Sequence, residues 1–213
     1  MIIIIVTFSA GEDIDIIVLD TSFNFDYFEF QNYSNRTTIC RAYITENSEV
    51  VVLPHASQCG YLTHTHGQVV ADMAGGDKSG AAKNANIYGV AIPESDGEKK
   101  YIYLKDVLPA LNYILKYMIR PHKTIINISH TFLLKKNTSD YNKYEEVINN
   151  IVKKGAIVVA CAGNDNMDVE FNTSDSLNKK DGKKTVPCTF DSTICVGGID
   201  SQQISDYNNL FIM

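Results

Sequence analysis

The sequence predicts an α/β fold with a doubly wound, mostly parallel sheet and helices on both faces. Short apolar runs rich in β-branched residues alternate along the chain with segments of helical periodicity. Several of these runs end in a polar residue or a Gly-Asn turn, as strands do where α/β sheets bind ligands. With 213 residues, 45% of them hydrophobic, and no Pro-rich linker or repeat, residues 1–213 are expected to form one domain.

Composition argues against two classes of partner. The chain has 19 Lys and Arg residues against 25 Asp and Glu residues, a net charge of −6, and no basic cluster. Nucleic acids and anionic membranes are therefore not expected as partners. The apolar start over residues 1–6 is short and has no basic residues before it, so we interpret it as a strand or a cut end rather than a signal peptide.

The first half of the chain predicts a strand and a helix, each with a polar residue at one end. Residues 14–19 form an apolar run that stops at Asp20, which predicts a buried strand with Asp20 at its carboxyl end. Residues 66–74 predict a helix that begins at His66 and ends at a left-handed stop at Gly75-Gly76. Its buried face is predicted to consist of Val69, Val70, Met73 and Ala74.

The rest of the chain continues the alternation of strands and helices. The last long strand ends in a Gly-Asn turn that places Asn164 at the carboxyl end of the sheet. The predicted elements are a strand over 86–92, a helix capped by Asp106, a strand over 124–129, a helix over 141–154 followed by Gly155, and strands over 156–162 and 193–199. The helices are predicted to bury Leu108, Leu111, Leu115 and Met118, and Tyr144, Val147, Ile148, Ile151 and Val152.

Three polar residues at predicted element ends form a chemically useful set. Asp20 can orient an imidazole, His66 can accept a proton from a nucleophile, and the Asn164 amide can donate to a developing oxyanion. Each also has an ordinary explanation, because strand-end aspartates, helix-start histidines and Gly-Asn turns are common without a catalytic role. The set still needs a nucleophile.

The local sequences around these residues form a set of blocks in a fixed order along the chain. The blocks are Asp20-Thr-Ser-Phe, His66-Gly-Gln-Val-Val-Ala, Gly80 to Val90, Ile125-Ile-Asn-Ile-Ser129, Gly155 to Asn164, and Val186-Pro187 to Gly198. In this order they resemble the subtilisin-like serine peptidases, the peptidase S8 family, and the similarity extends from Ala10-Gly11 to about Tyr207.

The resemblance implies hydrolysis of peptide bonds through an acyl-enzyme. It implies that Asp20 supports His66, that His66 is the general base, and that Asn164 binds the oxyanion. It also implies a peptide or protein substrate and a secreted or lytic location. Separately, the sequence predicts no cofactor or metal site, and we expect a monomer. The segments matching the substrate-binding walls contain Ser129, His130 and Thr131 on one side, and Ala160, Cys161, Ala162 and Gly163 on the other.

The sequence departs from the family pattern beside the site. Bulkier residues replace small ones at Ser22, Gln68 and Asp72, and His130-Thr131 replaces an apolar-Gly pair, so that Thr131 is expected to narrow the path of a peptide backbone. None of the 13 glycines is followed two positions later by serine, so the family's Gly-Thr-Ser block is absent. We therefore expect a fold incomplete at its C-terminal end, with negligible activity alone and apolar surface left on one sheet face.

Other interpretations remain open at this point. One is a catalytically dead member of the same fold that binds a peptide or protein partner. Another, less favoured, is a zinc-binding α/β domain that uses His55, Cys59, His64 and His66, although Cys59 is equally explained as a half of a bridge to Cys40. A nucleotide-binding domain is not supported, because the sequence has no Gly-rich phosphate motif.

The other cysteines and acidic residues yield no firm site. Five cysteines, Cys40, Cys59, Cys161, Cys188 and Cys195, do not identify the redox compartment, and a Cys188–Cys195 bridge and free buried thiols are both open. The acidic residues Asp165, Asp168, Asp175 and Asp181 lie in a polar stretch that we interpret as a solvated loop, and no calcium ligand is predicted.

Overall fold

A computed structural model describes residues 9–31, 35–61, 65–95, 100–164 and 182–198. No helix in these ranges is long and apolar enough to cross a membrane. The elements, in chain order, are β1 (Asp15–Asp20), β2 (Ser22–Asn24), β3 (Thr38–Ile44), β4 (Val50–Ala56), β5 (Gln58–Gly60), α1 (His66–Gly75), β6 (Asn86–Ala91), α2 (Leu104–Tyr117), β7 (Thr124–Ile128), β8 (Phe132–Lys135), α3 (Ser139–Lys153), β9 (Ile157–Cys161), β10 (Lys183–Val186) and β11 (Thr193–Val196).

The central sheet confirms the predicted mostly parallel α/β fold. Seven strands lie in the order β11-β9-β7-β1-β6-β3-β4, and only the edge strand β4 runs antiparallel to its neighbour. In the parallel register Asp20 at the end of β1 lies opposite Ala91 at the end of β6, and Leu19 lies opposite Ile128 at the end of β7. The carboxyl ends of these strands therefore form one edge, where side chains from different strands can meet.

Helices cover both faces of the sheet, as the sequence predicts. Alternate residues of β1 point to opposite faces because strand side chains alternate with period two. Ile17 and Leu19 belong to the large core beneath α2 and α3, whereas Ile16 and Val18 belong to a smaller core beneath α1. All six residues of β1 are buried, which explains the apolar run over residues 16–19 that precedes Asp20.

The predicted buried face of α1 is wrong in part. Val69 and Met73 are more than half exposed, and the helix buries Gly67, Ala71 and Gly75 instead. These small residues recur every four positions and let the helix backbone approach the sheet closely. A Cβ on Gly67 would lie 2.6 Å from the carbonyl oxygen of Ser22, so the close approach depends on glycine.

The ends of the helices also correct two predictions. Asp106 does not cap α2, because the helix begins at Leu104 and Asp106 lies buried in its first turn, accepting a hydrogen bond from the Ser48 hydroxyl at 2.6 Å. Gly76, which follows α1, has an extended backbone with φ of −61°, so the predicted left-handed stop is wrong. Gly155 after α3 does adopt positive φ, at +94°, as predicted.

The sequence did not predict the short antiparallel elements or settle the cysteines. The structure adds the β3–β4 hairpin and two ribbons, β2–β5 and β8–β10. Disulfides join Cys40 to Cys59 and Cys188 to Cys195, and Cys161 is free. The first disulfide ties β5 to β3.

One part of the sheet presents apolar side chains to solvent. Ile157 on β9 and Ile194 and Val196 on β11 are 48%, 54% and 51% exposed. Val158 and Ala160 on β9 are buried in the core beneath α2 and α3. Because side chains alternate between the two faces of a sheet, the three exposed side chains point to the opposite face. The apolar surface expected on one sheet face is therefore present at the β9–β11 end.

Candidate active site

Asp20 lies at the carboxyl end of β1 and is held by its own turn. Its carboxylate is buried, and Oδ1 accepts a hydrogen bond from the Thr21 backbone N–H at 2.8 Å. Its side chain points to the same face as Ile16 and Val18, the face that α1 covers. The strand therefore delivers a buried carboxylate directly beneath the start of a helix.

His66, the first residue of α1, contacts this carboxylate. Its Nδ1 lies 2.9 Å from Oδ1 and 3.0 Å from Oδ2 of Asp20. The contact depends on Gly67, where an added Cβ would lie 3.0 Å from the Asp20 Cβ. The His66 side chain is 59% exposed, so one side of the ring is fixed by the carboxylate while much of the rest remains accessible. The structure thus brings these two predicted residues together.

The electrostatics of the pair make His66 a stronger base. The hydrogen bond to Asp20 raises the pKa of His66, burial opposes this, and the charges of Asp20 and Glu94 add to the increase. The sequence analysis did not predict a role for Glu94, because its effect on the pKa of His66 depends on how the chain folds after β6. A carboxylate at Nδ1 favours a proton on that nitrogen and leaves Nε2 as the acceptor.

Asn164 is exposed in the turn that follows β9, as predicted from the Gly-Asn pair. Gly163 has a φ of +96°, which lets the chain turn immediately after the strand. β9 lies two strands from β1 in the sheet, so Asn164 shares the carboxyl edge with Asp20. Asn164 is placed at the predicted edge, but it is not part of the Asp20–His66 contact.

The two predicted substrate-binding walls follow β7 and β9, which are neighbours in the sheet. Ser129 accepts a hydrogen bond from the Asn127 side-chain amide at 2.8 Å. Across the gap, a Cβ placed on Gly163 would lie 3.7 Å from the Thr131 hydroxyl oxygen. The walls therefore approach each other at Thr131 and Gly163. Of the second wall, Ala160 is buried, and Cys161 and Ala162 are partly exposed.

His130 is an unusual member of the first wall. Both of its ring nitrogens are shielded from solvent, and neither has a hydrogen-bond partner among the described residues. Burial lowers the pKa of His130 to about 4, with the Asp20 charge acting in the opposite direction, so the ring is neutral at pH 7. The sequence places His130 in the wall but carries no signal for this unpaired state.

Two other side chains near the site have structural explanations. Burial raises the pKa of the free Cys161 thiol, so it is protonated at neutral pH and is not an activated nucleophile. The Gln68 Oε1 accepts a hydrogen bond from the Asn24 backbone N–H at 2.6 Å, which ties α1 to β2. The same side chain leaves its Nε2 buried without a hydrogen-bond partner among the described residues, so this bulkier replacement links the helix of His66 to β2 at a cost.

The structure does not support the zinc alternative. Cys59 is bonded to Cys40 and cannot supply a thiolate. Within the described ranges, no three His, Cys, Asp or Glu side chains are grouped to hold a metal ion. His64 and the acidic residues Asp165, Asp168, Asp175 and Asp181 lie outside the described residues.

Comparison with known proteins identifies the family. Residues 11–210 match the family model described as the subtilase family, Peptidase_S8. The chain belongs to the subtilase family. It is 29% identical over 167 residues to a subtilisin-like protease 2 of Arthroderma otae, and 28% identical to that of Trichophyton verrucosum. Each alignment covers 77% of this chain and 34% of the relative, so the subtilase chain spans about a third of the length of these relatives.

Solved structures share the fold of this subtilase chain. A cold-adapted subtilisin-like serine proteinase aligns with a TM-score of 0.65 at 20% identity, over 92% of this chain and 58% of that protein. The epidermin leader peptide processing serine protease of Staphylococcus aureus aligns with a TM-score of 0.61 at 22% identity, over 89% and 47%. The parallel sheet with helices on both faces is therefore a subtilisin-like fold.

Proposed function

We propose that this subtilase chain supplies the acid–base and oxyanion-binding groups of a serine endopeptidase that cleaves peptide bonds through an acyl-enzyme. The observation that carries the proposal is the pair of contacts between His66 Nδ1 and the buried Asp20 carboxylate, at 2.9 and 3.0 Å. Such a pair orients an imidazole and stabilises its cation, which is what a general base in acyl transfer requires.

The proposed mechanism assigns one step to each group. Nε2 of His66 accepts the hydroxyl proton as a serine oxygen attacks the substrate carbonyl, and it later gives that proton to the leaving amine. Asp20 stabilises the imidazolium between these two transfers without itself becoming protonated. Asn164 donates its side-chain amide to the oxyanion of the tetrahedral intermediate. The extended substrate lies between residues 129–131 and 160–163 and adds main-chain hydrogen bonds to their edges.

The nucleophile is the one group that the 213 residues do not assign. No glycine is followed two positions later by serine, and Cys161 is not activated. The mechanism therefore needs a serine supplied outside these residues. We expect the 213-residue chain alone to hydrolyse a fluorogenic peptide no faster than buffer, because loss of the nucleophile removes most of the rate enhancement of a triad. Turnover that disappears in His66→Ala would contradict this expectation.

A second candidate function is binding of a peptide or protein partner without cleavage. The absent Gly-x-Ser motif favours it, and so does Thr131, which narrows the gap opposite Gly163. The retained Asp20–His66 contact favours the enzyme, because binding alone gives no reason to bury a carboxylate against an imidazole.

One experiment separates the two functions. The 3′ end of the transcript is sequenced across codon 213, and the protein encoded by the full reading frame is purified. If the frame contains a Gly-x-Ser segment, we expect hydrolysis of a protein substrate to fall on the order of 10⁴-fold in Asp20→Asn. In Asn164→Ala we expect a fall on the order of 10²-fold.

The control is Asp26→Asn, which changes an exposed carboxylate that accepts hydrogen bonds from Ser57 and Gln58 and should keep full activity. Equal activity of His66→Ala and the wild type would overturn the proposed enzyme. A frame without such a serine would favour the binding function.

A further inference from the structure

A cavity of about 610 Å³ opens between three segments near the carboxyl edge of the sheet. The β3–β4 hairpin, β5 and Pro93, the second residue after β6, form its walls, which are mostly apolar and include Ile44 at the end of β3 and Leu53 on β4. Tyr61 and Glu46 line it as well. Its volume lies within the range of about 300–1,000 Å³ that is typical of ligand pockets. We call it the Glu46 pocket.

The Glu46 pocket lies beside Asp20. Gly60, which lines the pocket, pairs with Ser22 in the β2–β5 ribbon and is packed so closely that a Cβ there would collide with the carbonyl oxygen of Thr21, the neighbour of Asp20. Pro93, another lining residue, follows Ile92, whose backbone N–H donates to the Asp20 carbonyl oxygen at 2.8 Å. The pocket is therefore close to the strand end that carries Asp20, and we expect a side chain of a peptide bound at His66 to reach it.

The charge at the pocket is a single oriented carboxylate. The Tyr61 hydroxyl donates to Glu46 Oε1 at 2.9 Å, which positions the carboxylate. Among the described residues no ion pair includes Glu46, and Lys105 Nζ reaches only its backbone oxygen, at 3.3 Å. An apolar wall with one carboxylate complements a long side chain that has an apolar stem and a cationic end.

We propose that the Glu46 pocket receives an arginine or lysine side chain of the peptide, near the bond to be cut. This proposal rests on the proposed function and adds a substrate preference to it. The stem of the side chain packs on the apolar wall, and its cationic end pairs with the Glu46 carboxylate. Because Glu46 is exposed, the pairing contributes a modest factor in affinity rather than a large one.

The test measures binding of fluorescent peptides to the 213-residue chain, which is expected to bind peptides without cutting them. Three peptide sets carry arginine, norleucine or glutamate at one position, and that position is moved along the peptide. We expect arginine to bind about fivefold more tightly than norleucine at one position, a factor that corresponds to an exposed ion pair. The preference should shrink between low salt and about 0.5 M salt, because salt screens exposed charges.

Two variants of the same turn make the test specific. Glu46→Gln should abolish the preference for arginine, whereas Glu49→Gln should retain it, because Glu49 is exposed on this turn but does not line the pocket. Tyr61→Phe, which frees the Glu46 carboxylate, should reduce the preference in part. Thermal unfolding of each variant checks that the fold is intact.

The ring signals of His66, followed by NMR in the same titrations, separate failure of the pocket from failure of the proposed function. Peptides that shift the His66 signals but show no preference for arginine, or a preference that Glu46→Gln keeps, overturn the Glu46 pocket and leave the function standing. Peptides that neither bind nor shift His66 overturn both.

Discussion

The two ends of the central sheet differ in what covers them. Around β1 and β6 the sheet lies between α1 on one face and α2 and α3 on the other, and Val18 and Ile87 are fully buried. Around β9 and β11, α3 covers one face, while Ile157 and Ile194 on the other remain about half exposed. We call the region around β1 and β6 the closed end of the sheet and the region around β9 and β11 the open end. The Asp20–His66 pair lies at the closed end, and Asn164 lies at the open end.

This difference shows which of the candidate site residues are held in position by packing within the described part of the chain. The geometry of Asp20 and His66 follows from packing within the chain, since β1 is buried on both faces and α1 is brought against it by Gly67, Ala71 and Gly75. Asn164 extends from a turn whose strand is buried on one face and only partly buried on the other. The Asp20–His66 contact should therefore tolerate changes at the open end, whereas changes beneath α1 should disturb it.

The largest expected effect comes from the same truncation made at each end. Ile87→Ala leaves a cavity beneath α1 and should lower the free energy of unfolding by about 2–5 kcal/mol. Ile194→Ala removes an exposed side chain of the same size and should cost less than about 1 kcal/mol. Urea-induced unfolding measures both. Equal costs would mean that the β9–β11 face is covered in solution.

His130 follows β7, the strand between the two ends, and should make stability depend on pH. Its pKa is about 4 in the folded chain and about 6.5 in an unfolded one. The unfolded chain therefore binds more protons between these values, and stability falls as the pH falls from about 6.5 to about 4. The loss is at most roughly 3 kcal/mol for this difference in pKa.

His130→Leu should remove this loss and also stabilise the fold by about 1 kcal/mol, because two unpaired buried nitrogens are replaced by an apolar group. Urea unfolding at several pH values, with His55→Leu on the exposed part of β4 as the control, tests both points. An unchanged pH dependence in His130→Leu would show that its imidazole has a partner in solution.

Asp20→Asn is expected to have a smaller effect on stability, but it should change the pKa of His66, which reports directly on the contact between the two side chains. In the wild type the pKa of His66 is raised from its usual value of 6.5, mainly by the hydrogen bond to Asp20. Replacing the Asp20 carboxylate should lower this pKa, because the hydrogen bond and charge that raise it are lost while the burial that lowers it remains. The stabilisation from the pair is present below pH 6.5 and is lost as the pH rises through the raised pKa of His66. Because the ring is 59% exposed, this contribution should stay below about 1 kcal/mol.

Titration of the His66 ring signals by NMR measures this change. Asp26→Asn is the control and should leave the pKa of His66 in place. If Asp20→Asn did not lower that pKa, the contact between the two side chains would not exist in solution.

At the closed end, the sequence predicted the order and type of the elements better than the packing of individual side chains. The strand ending at Asp20 was recognisable because burial on both faces makes it continuously apolar. The face of α1 was predicted in part wrongly because periodicity weighs bulky residues such as Val69, whereas close approach selects small ones such as Ala71. The unpaired nitrogens of His130 could not be predicted, because only the folded chain shows which groups surround them.

The smallest change in stability, but a clear change in association, should follow from adding charge to the open end. Ile194→Lys replaces an exposed apolar side chain on the edge strand β11 and should alter the free energy of unfolding by no more than about 0.5 kcal/mol. It should reduce self-association at high protein concentration, since exposed apolar patches and open strand edges favour it.

Val52→Lys on β4, the opposite edge strand, is the matched control, because Val52 is similarly exposed but far from the β9–β11 face. Sedimentation velocity compares the two variants with the wild type. A reduction by Ile194→Lys alone would locate the association at the open end and leave the Asp20–His66 end unaffected. An equal reduction by both would mean that the chain associates through its edges in general, and the contrast in apolar cover would then have no consequence for association.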